Sequence, residues 1–168
     1  MTSYHIKENV DFSFIKRVAI LPLDNFTSNK SASEAVRQVV TTEMLASGFV
    51  DVVVPGDVMA AISSIGVKSI SSPSVEEIRA LGKFLRVEAV VTGSVDNYAE
   101  VRRDNVTVAE VSITLMMVDT GAGDILWSVS KTSPGAGFMA RHFGARTPTL
   151  SETTSNIVRE GIATLSSY

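Results

Sequence analysis

Asp119, Thr120, Gly121 and Ala122 spell the D-T-G-A signature in which a strand-borne carboxylate activates water for peptide hydrolysis. That chemistry needs two carboxylates sharing one proton, contributed by two lobes or two subunits. The chain holds one copy, so catalysis would require a homodimer centred on Asp119. The aspartic-protease fold is almost wholly β, whereas this sequence signals at least three helices. Alternating strands flank residues 119–124, and Gly121 and Gly123 can supply the positive φ of a tight turn. The tetrad therefore reads as a hairpin turn, with the dimeric protease kept as a remote alternative.

Other chemical patterns are weaker. Gly135-Ala136-Gly137-Phe138-Met139-Ala140 fits the loose dinucleotide fingerprint, but Pro134 precedes it and no parallel strand follows, so it reads as loop. No phosphate-binding G-x-x-x-x-G-K-[ST] loop and no G-x-S-x-G nucleophile elbow occurs. His5 and His142 lie far apart without neighbouring carboxylates, which argues against a metal site. The chain has no cysteine, which removes thiolate catalysis, disulfides and cysteine metal ligands. No catalytic residue, metal ligand or cofactor site is assigned, and an enzyme is not expected. Asn25 and Phe26 follow a buried strand, at the edge where α/β sheets often bind ligands. The same pair also suits a plain β-to-α connection in which Asn25 bonds its own backbone.

The elements that would hold these residues follow from hydrophobic patterning. In 168 residues, 45% are apolar and 20% charged, with a formal charge of −3, which fits one globular domain. The basic residues form no stripe, so nucleic acid is not an expected partner. "RVAILPL" reads as a doubly buried strand ended by Pro22. Ser31 with Glu34, and Ser74 with Glu77, predict capping boxes for two helices. The first carries Val36, Val39, Val40 and Met44 at helical spacing and stops at Gly48. Between them "FVDVVVP" reads as a strand and "GDVMAAISSIG" as a short helix with Val58, Met59, Ile62 and Ile65 on one face. "EAVVTGSVDNYAEV" is a third strand, in which Gly93 marks a close backbone approach or bulge. In "VTVAEVSITLMMVD", Ala109, Val111, Ile113, Leu115 and Met117 share one face. In "DILWSVSK", Ile125, Trp127 and Val129 do the same. Residues 133–150 read as a long loop, and a last helix carries Ile157, Val158, Ile162 and Leu165.

The order β-α-β-α-α-β-β-β-α gives an α/β fold with a mixed sheet: parallel strands through helical crossovers, then antiparallel hairpins. Residues 1–15 are taken as an N-terminal extension and 16–168 as a single domain.

Four separated segments carry a family resemblance: "RVAILPLDNFTSN", "LASGFVDVVVP", "LRVEAVVTGSVDNY" and "ITLMMVDTGAGDILWS". Their order and spacing resemble the CsgG/LpoB-like lipoproteins of Gram-negative outer membranes. The resemblance implies an anticodon-binding-domain-like sandwich, with residues 119–127 as the family's structural hairpin. It further implies a non-enzymatic periplasmic domain that serves surface-polymer export or the regulation of a cell-wall synthase. Its partners would be envelope proteins, and a homo-oligomer is plausible. The opening 17 residues show no apolar core of a signal peptide. The family's signal peptide and lipid-bearing cysteine are not in this sequence, so membrane attachment is expected only through such an anchor. Residues 98–108 are too short for two barrel strands of ~9–11 residues each. The expected contact regions are the loop 24–29, with Asn25 and Phe26, and the loop 134–149. The second region offers Phe138, Met139 and Phe143 beside Arg141 and Arg146. Aromatic and arginine side chains suit interface anchors, although Phe138 and Phe143 can equally pack onto the core. The alternative reading is a cytosolic domain that binds a small ligand or nucleotide at the carboxyl edge of the sheet.

Overall fold

A computed structural model describes residues 2–143 and 146–167, without the side chains of residues 136, 140, 142, 143 and 167. In chain order the elements are β1 (Thr2–Ile6), β2 (Arg17–Ile20), β3 (Asp24–Asn25), α1 (Ala32–Ser47), β4 (Asp51–Val52), α2 (Pro55–Ile65), α3 (Val75–Leu85), β5 (Ala89–Arg103), β6 (Val106–Asp119), β7 (Ile125–Thr132), α4 (Ala136–Phe143) and α5 (Leu150–Ala163). Short 3-10 turns lie at Phe12–Phe14 and Thr164–Ser167. One seven-stranded sheet runs β1-β7-β6-β5-β2-β4, with β3 beside β5.

The parallel half forms as the apolar runs require. β2 pairs in parallel with β4 and β5 through helical crossovers. Pro22 has no N–H to donate, so β2 stops at Ile20 and, after three intervening residues, the chain re-enters the sheet as β3 against Ser94 and Val95. On the β4 side the Lys16 and Val18 carbonyls accept the N–H groups of Asp51 and Val53. The next position is Pro55, which has no N–H, so the Ile20 carbonyl has no ladder donor. Arg37, 3% exposed on α1, fills that role with Nε at 3.1 Å and Nη2 at 2.9 Å. Burial lowers the pKa of this guanidinium from its usual value, partly offset by Glu34.

The antiparallel half is a long hairpin plus two strands, β7 and β1. β5 and β6 pair almost end to end, and Asp104 and Asn105, both with positive φ, make the two-residue turn. At Gly93 a Cβ would lie 2.0 Å from the Thr114 carbonyl oxygen, so the close approach expected there is real. In β6, residues 109, 111, 113, 115 and 117 are buried as the alternation predicts. In β7 the expectation for Ile125 fails: it is exposed and Leu126 is buried. A bulge between Met117 and Val118 pairs Trp127 with Met117 but Ile125 with Val118, which reverses the side on which Ile125 emerges.

Two apolar layers close the sheet. On one face α1 and α5 cover Val18, Val91, Ile113, Leu115 and Trp127. On the other, α2 and α3 cover Ala19, Leu21, Val90 and Val118. In α2, Ala61 is buried and Met59 is exposed, so the buried stripe lies slightly round the helix from the predicted one.

The helix starts divide. Ser74 and Glu77 form the predicted capping box at α3. Ser31 does not cap α1, because its backbone is already helical. Asn29 takes that place: its Oδ1 accepts the Ser31 N–H and its carbonyl accepts the Ala32 N–H. Two further elements were not apparent in sequence. The stretch read as an extension contains β1, which pairs antiparallel with β7 from Thr2↔Lys131 to Ile6↔Trp127. The stretch read as a long loop contains α4, anchored by the buried Met139.

Candidate functional site

The turn carrying Asp119 is built for shape. The Asp119 carboxylate accepts the N–H of Gly121 at 2.8 Å and of Ala122 at 3.4 Å, and its backbone bonds Gly123 and Asp124. Thr120 ties the turn to the start of β5, donating from its hydroxyl to the Val87 carbonyl at 2.8 Å. Arg79 of α3 holds the Gly121 carbonyl at 2.9 Å. Gly123 has the positive φ the turn requires, while Gly121 does not. A carboxylate that accepts two backbone N–H groups in its own turn is committed to folding.

Asn25 follows the same logic. Its Oδ1 accepts the Thr27 N–H at 3.0 Å and hydroxyl at 2.7 Å, and its amide donates to the Asn29 carbonyl at 2.7 Å. Its amide oxygen and one amide N–H go into closing residues 25–29, which is the β-to-α connection foreseen as the simpler option. Phe26, by contrast, is 69% exposed, the most exposed large apolar residue among those described.

The second candidate region lies beside β7 and α5. Phe138 is 45% exposed and Met139 is 3% exposed, because the single turn they share has one face on the sheet and one outward. Arg141 is exposed, with Nε 3.3 Å from the Gly137 carbonyl. Arg146 is exposed too, but it pairs with Glu152 at 2.8 Å, the residue whose N–H is capped by Thr149. Arg146 thus holds the entry to α5 and is not a free cation. The Phe143 side chain lies outside the described residues, as does that of His142.

Phe138, Met139, Pro134 and Pro148 form one wall of a cavity of about 620 Å³. Thr153, Asn156 and Glu160 of α5 form the other, with Lys131 paired to Glu160 beside it. The Thr153 hydroxyl is the buried side-chain oxygen without a hydrogen-bond partner among the described residues. Sequence reading missed this wall, since Thr153 and Asn156 look like ordinary helical positions. The Thr-x-x-Asn-x-x-x-Glu spacing on α5 was the available signal.

The two candidate regions are not one site. β3 and β7 are separated by β5 and β6, roughly 14 Å of sheet at ~4.8 Å per strand. Among the described residues, no cluster of His, Asp and Glu could hold a metal ion. No helix among them is long and apolar enough to cross a membrane.

Solved structures share this fold. The PelC dodecamer from Paraburkholderia phytofirmans matches with a TM-score of 0.68 at 16% identity, covering 98% of this chain and 98% of that chain. Lipoprotein GNA1162 from Neisseria meningitidis matches with a TM-score of 0.62 at 16% identity, over 91% of this chain and 99% of that one. The LpoB C-terminal domain from Salmonella enterica gives 0.54 at 11% identity, over 71% and 83%. No family model matches the sequence. No curated protein matches it either. At these identities the likeness is one of fold: the chain has the LpoB-like lipoprotein fold.

Proposed function

We propose that this chain is the periplasmic domain of an outer-membrane lipoprotein of CsgG/LpoB type, acting as a non-enzymatic interaction and assembly module. Its role is in surface-polymer export or in the regulation of cell-wall synthesis. The observation that carries this reading is the fold match over nearly the whole chain to PelC and to lipoprotein GNA1162, together with two turns whose polar residues bond their own backbone. Asp119 and Asn25, the residues best suited to chemistry or ligand binding, are consumed by their own turns, which favours a module that works through its surface. Lipid anchorage would come from a segment not in this sequence.

The proposed contact face for an envelope partner is the outer side of α4, with Phe138 and Arg141. An exposed aromatic beside an arginine is the composition of an interface anchor. Homo-oligomerisation is the second part of the proposal, supported by the dodecameric state of the PelC structure.

The test compares the native chain with Phe138→Asp/Arg141→Glu as bait in envelope extracts. The native protein recovers a component of an export machine or a cell-wall synthase, and the double variant loses it. Equal recovery by both removes α4 as the contact face. Cell fractionation with an antibody addresses location, and a protein found wholly in the cytosol overturns the periplasmic assignment.

A further inference from the structure

Phe26 and an apolar groove sit at opposite ends of the same strand-helix unit. β2 and β3 run from Arg17 to Asn25, nine residues, and roughly 26 Å at ~3.3 Å per step. Phe26 follows at the far end. α1 returns in the opposite direction and delivers Leu45 and Phe49 to the near end, beside Asp51, which pairs with Arg17. There Phe12, Ile15, Leu45, Phe49, Val50 and Leu165 line a groove of about 590 Å³. Leu45 and Phe49 are exposed, as is Phe14 in the adjacent 3-10 turn. This concentrates exposed apolar surface at one end of the molecule, beyond what scattered single residues would give.

The knob is as well defined as the hole. Hydrogen bonds from Asn25 and Thr27 close the loop around Phe26, and the Phe26 N–H bonds the Val95 carbonyl, so little backbone freedom remains to be lost on docking. The charges also match. Asp24 and Lys30 flank Phe26 in the chain, and Lys16 and Asp51 line the groove. None of these four residues forms an ion pair among the described residues. An acid and a base stand at each end, which lets Asp24 meet Lys16 and Lys30 meet Asp51 when a second copy is placed end to end.

We infer that copies of this chain associate head to tail, with Phe26 of one copy seated in the Leu45–Phe49 groove of the next. The inference rests on the assembly half of the proposed function, and the α4 contact is tested separately above. Because the two surfaces differ, the contact is heterologous. Each copy uses both, so the array closes into a ring or extends as a filament, and a single two-fold dimer is not its product.

The experiment measures mass by light scattering and sedimentation for the native chain, Phe26→Asp and Phe49→Asp, with thermal unfolding to confirm that both variants fold. The native chain forms oligomers larger than a dimer. Each variant alone is monomeric, with self-association weakened by at least ~30-fold, the scale of an interface hot spot. Mixed in equal amounts, the two variants form a 1:1 heterodimer, because one intact knob still meets one intact groove. A second pair tests the charges: Lys16→Asp weakens association, and adding Asp24→Lys to the same chain restores it. A monomeric native chain at the highest soluble concentration overturns the inference while leaving the α4 contact standing. Native-like assembly of Phe26→Asp, or a mixture that stays monomeric, overturns the head-to-tail geometry while leaving oligomerisation itself intact.

Discussion

The indole N–H of Trp127, the only tryptophan, donates to the Thr164 hydroxyl across 2.8 Å and joins β7 to the end of α5. Trp127 is fully buried, so its polar edge needs that partner. Thr164→Val keeps the shape and leaves the indole N–H unpaired in the core. The expected loss is about 1–2 kcal/mol in urea unfolding, followed through Trp127 fluorescence. An unchanged midpoint means that the last turn of α5 frays without consequence for the core.

Arg37 supplies the Ile20 carbonyl with the donor that the ladder lacks where Pro55 begins α2. Arg37→Ala leaves a buried acceptor unpaired and a hole under α1, with an expected cost of about 3 kcal/mol. Arg37→Met fills the space and removes a buried charge, so it is the milder change. Equal destabilisation by the two variants, measured by chemical denaturation, sinks this account.

Glu77 accepts the backbone N–H groups of Ser74 and Lys68, and these bonds hold its carboxyl below the usual glutamate range. A carboxyl with a depressed folded-state pKa adds stability above its unfolded pKa of about 4.3. That contribution fades as pH falls through the folded-state value. Glu77→Gln should therefore destabilise at pH 6, and its difference from the native protein should shrink as pH falls below about 4. Parallel stability curves across that window contradict the assignment.

Asp119 braces a turn through two backbone N–H groups. Asp119→Asn retains one such acceptor and folds normally, whereas Asp119→Ala loses about 1 kcal/mol, as for a lost helix cap. Neither change alters peptide cleavage, since the native chain is expected to cleave none. Peptidase activity lost specifically in Asp119→Asn would revive the dimeric protease.

Much of this was legible because the signals are local. The run ended by Pro22, the alternation through β6 and the Ser74–Glu77 box each fix their element without help from afar. The missed elements lack such signals. β1 reads Thr-Ser-Tyr-His-Ile and is exposed except at its last residue, so no buried stripe betrays it; its pairing with β7 makes it a strand. α4 lies between prolines and glycines and is held by one buried methionine. Ile125 and Leu126 exchanged places because a bulge shifts register, which no alternation pattern contains. At α1, Ser31 and Glu34 had the right spacing, yet Asn29 Oδ1 already accepts the Ser31 N–H that Glu34 would take.

By itself the sequence determined the doubly buried strands, the helices that cross between them and the turn at Asp119, since periodicity and turn chemistry act over a few residues. Only the tertiary structure decided which surfaces remain for function. Pairing across the sheet set two strands between Asn25 and Phe138, brought α5 to complete the cavity beside α4, and placed Phe26 and the Phe49 groove at opposite ends. Those outcomes depend on contacts between residues far apart in the chain, and long-range burial, not local preference, selects them.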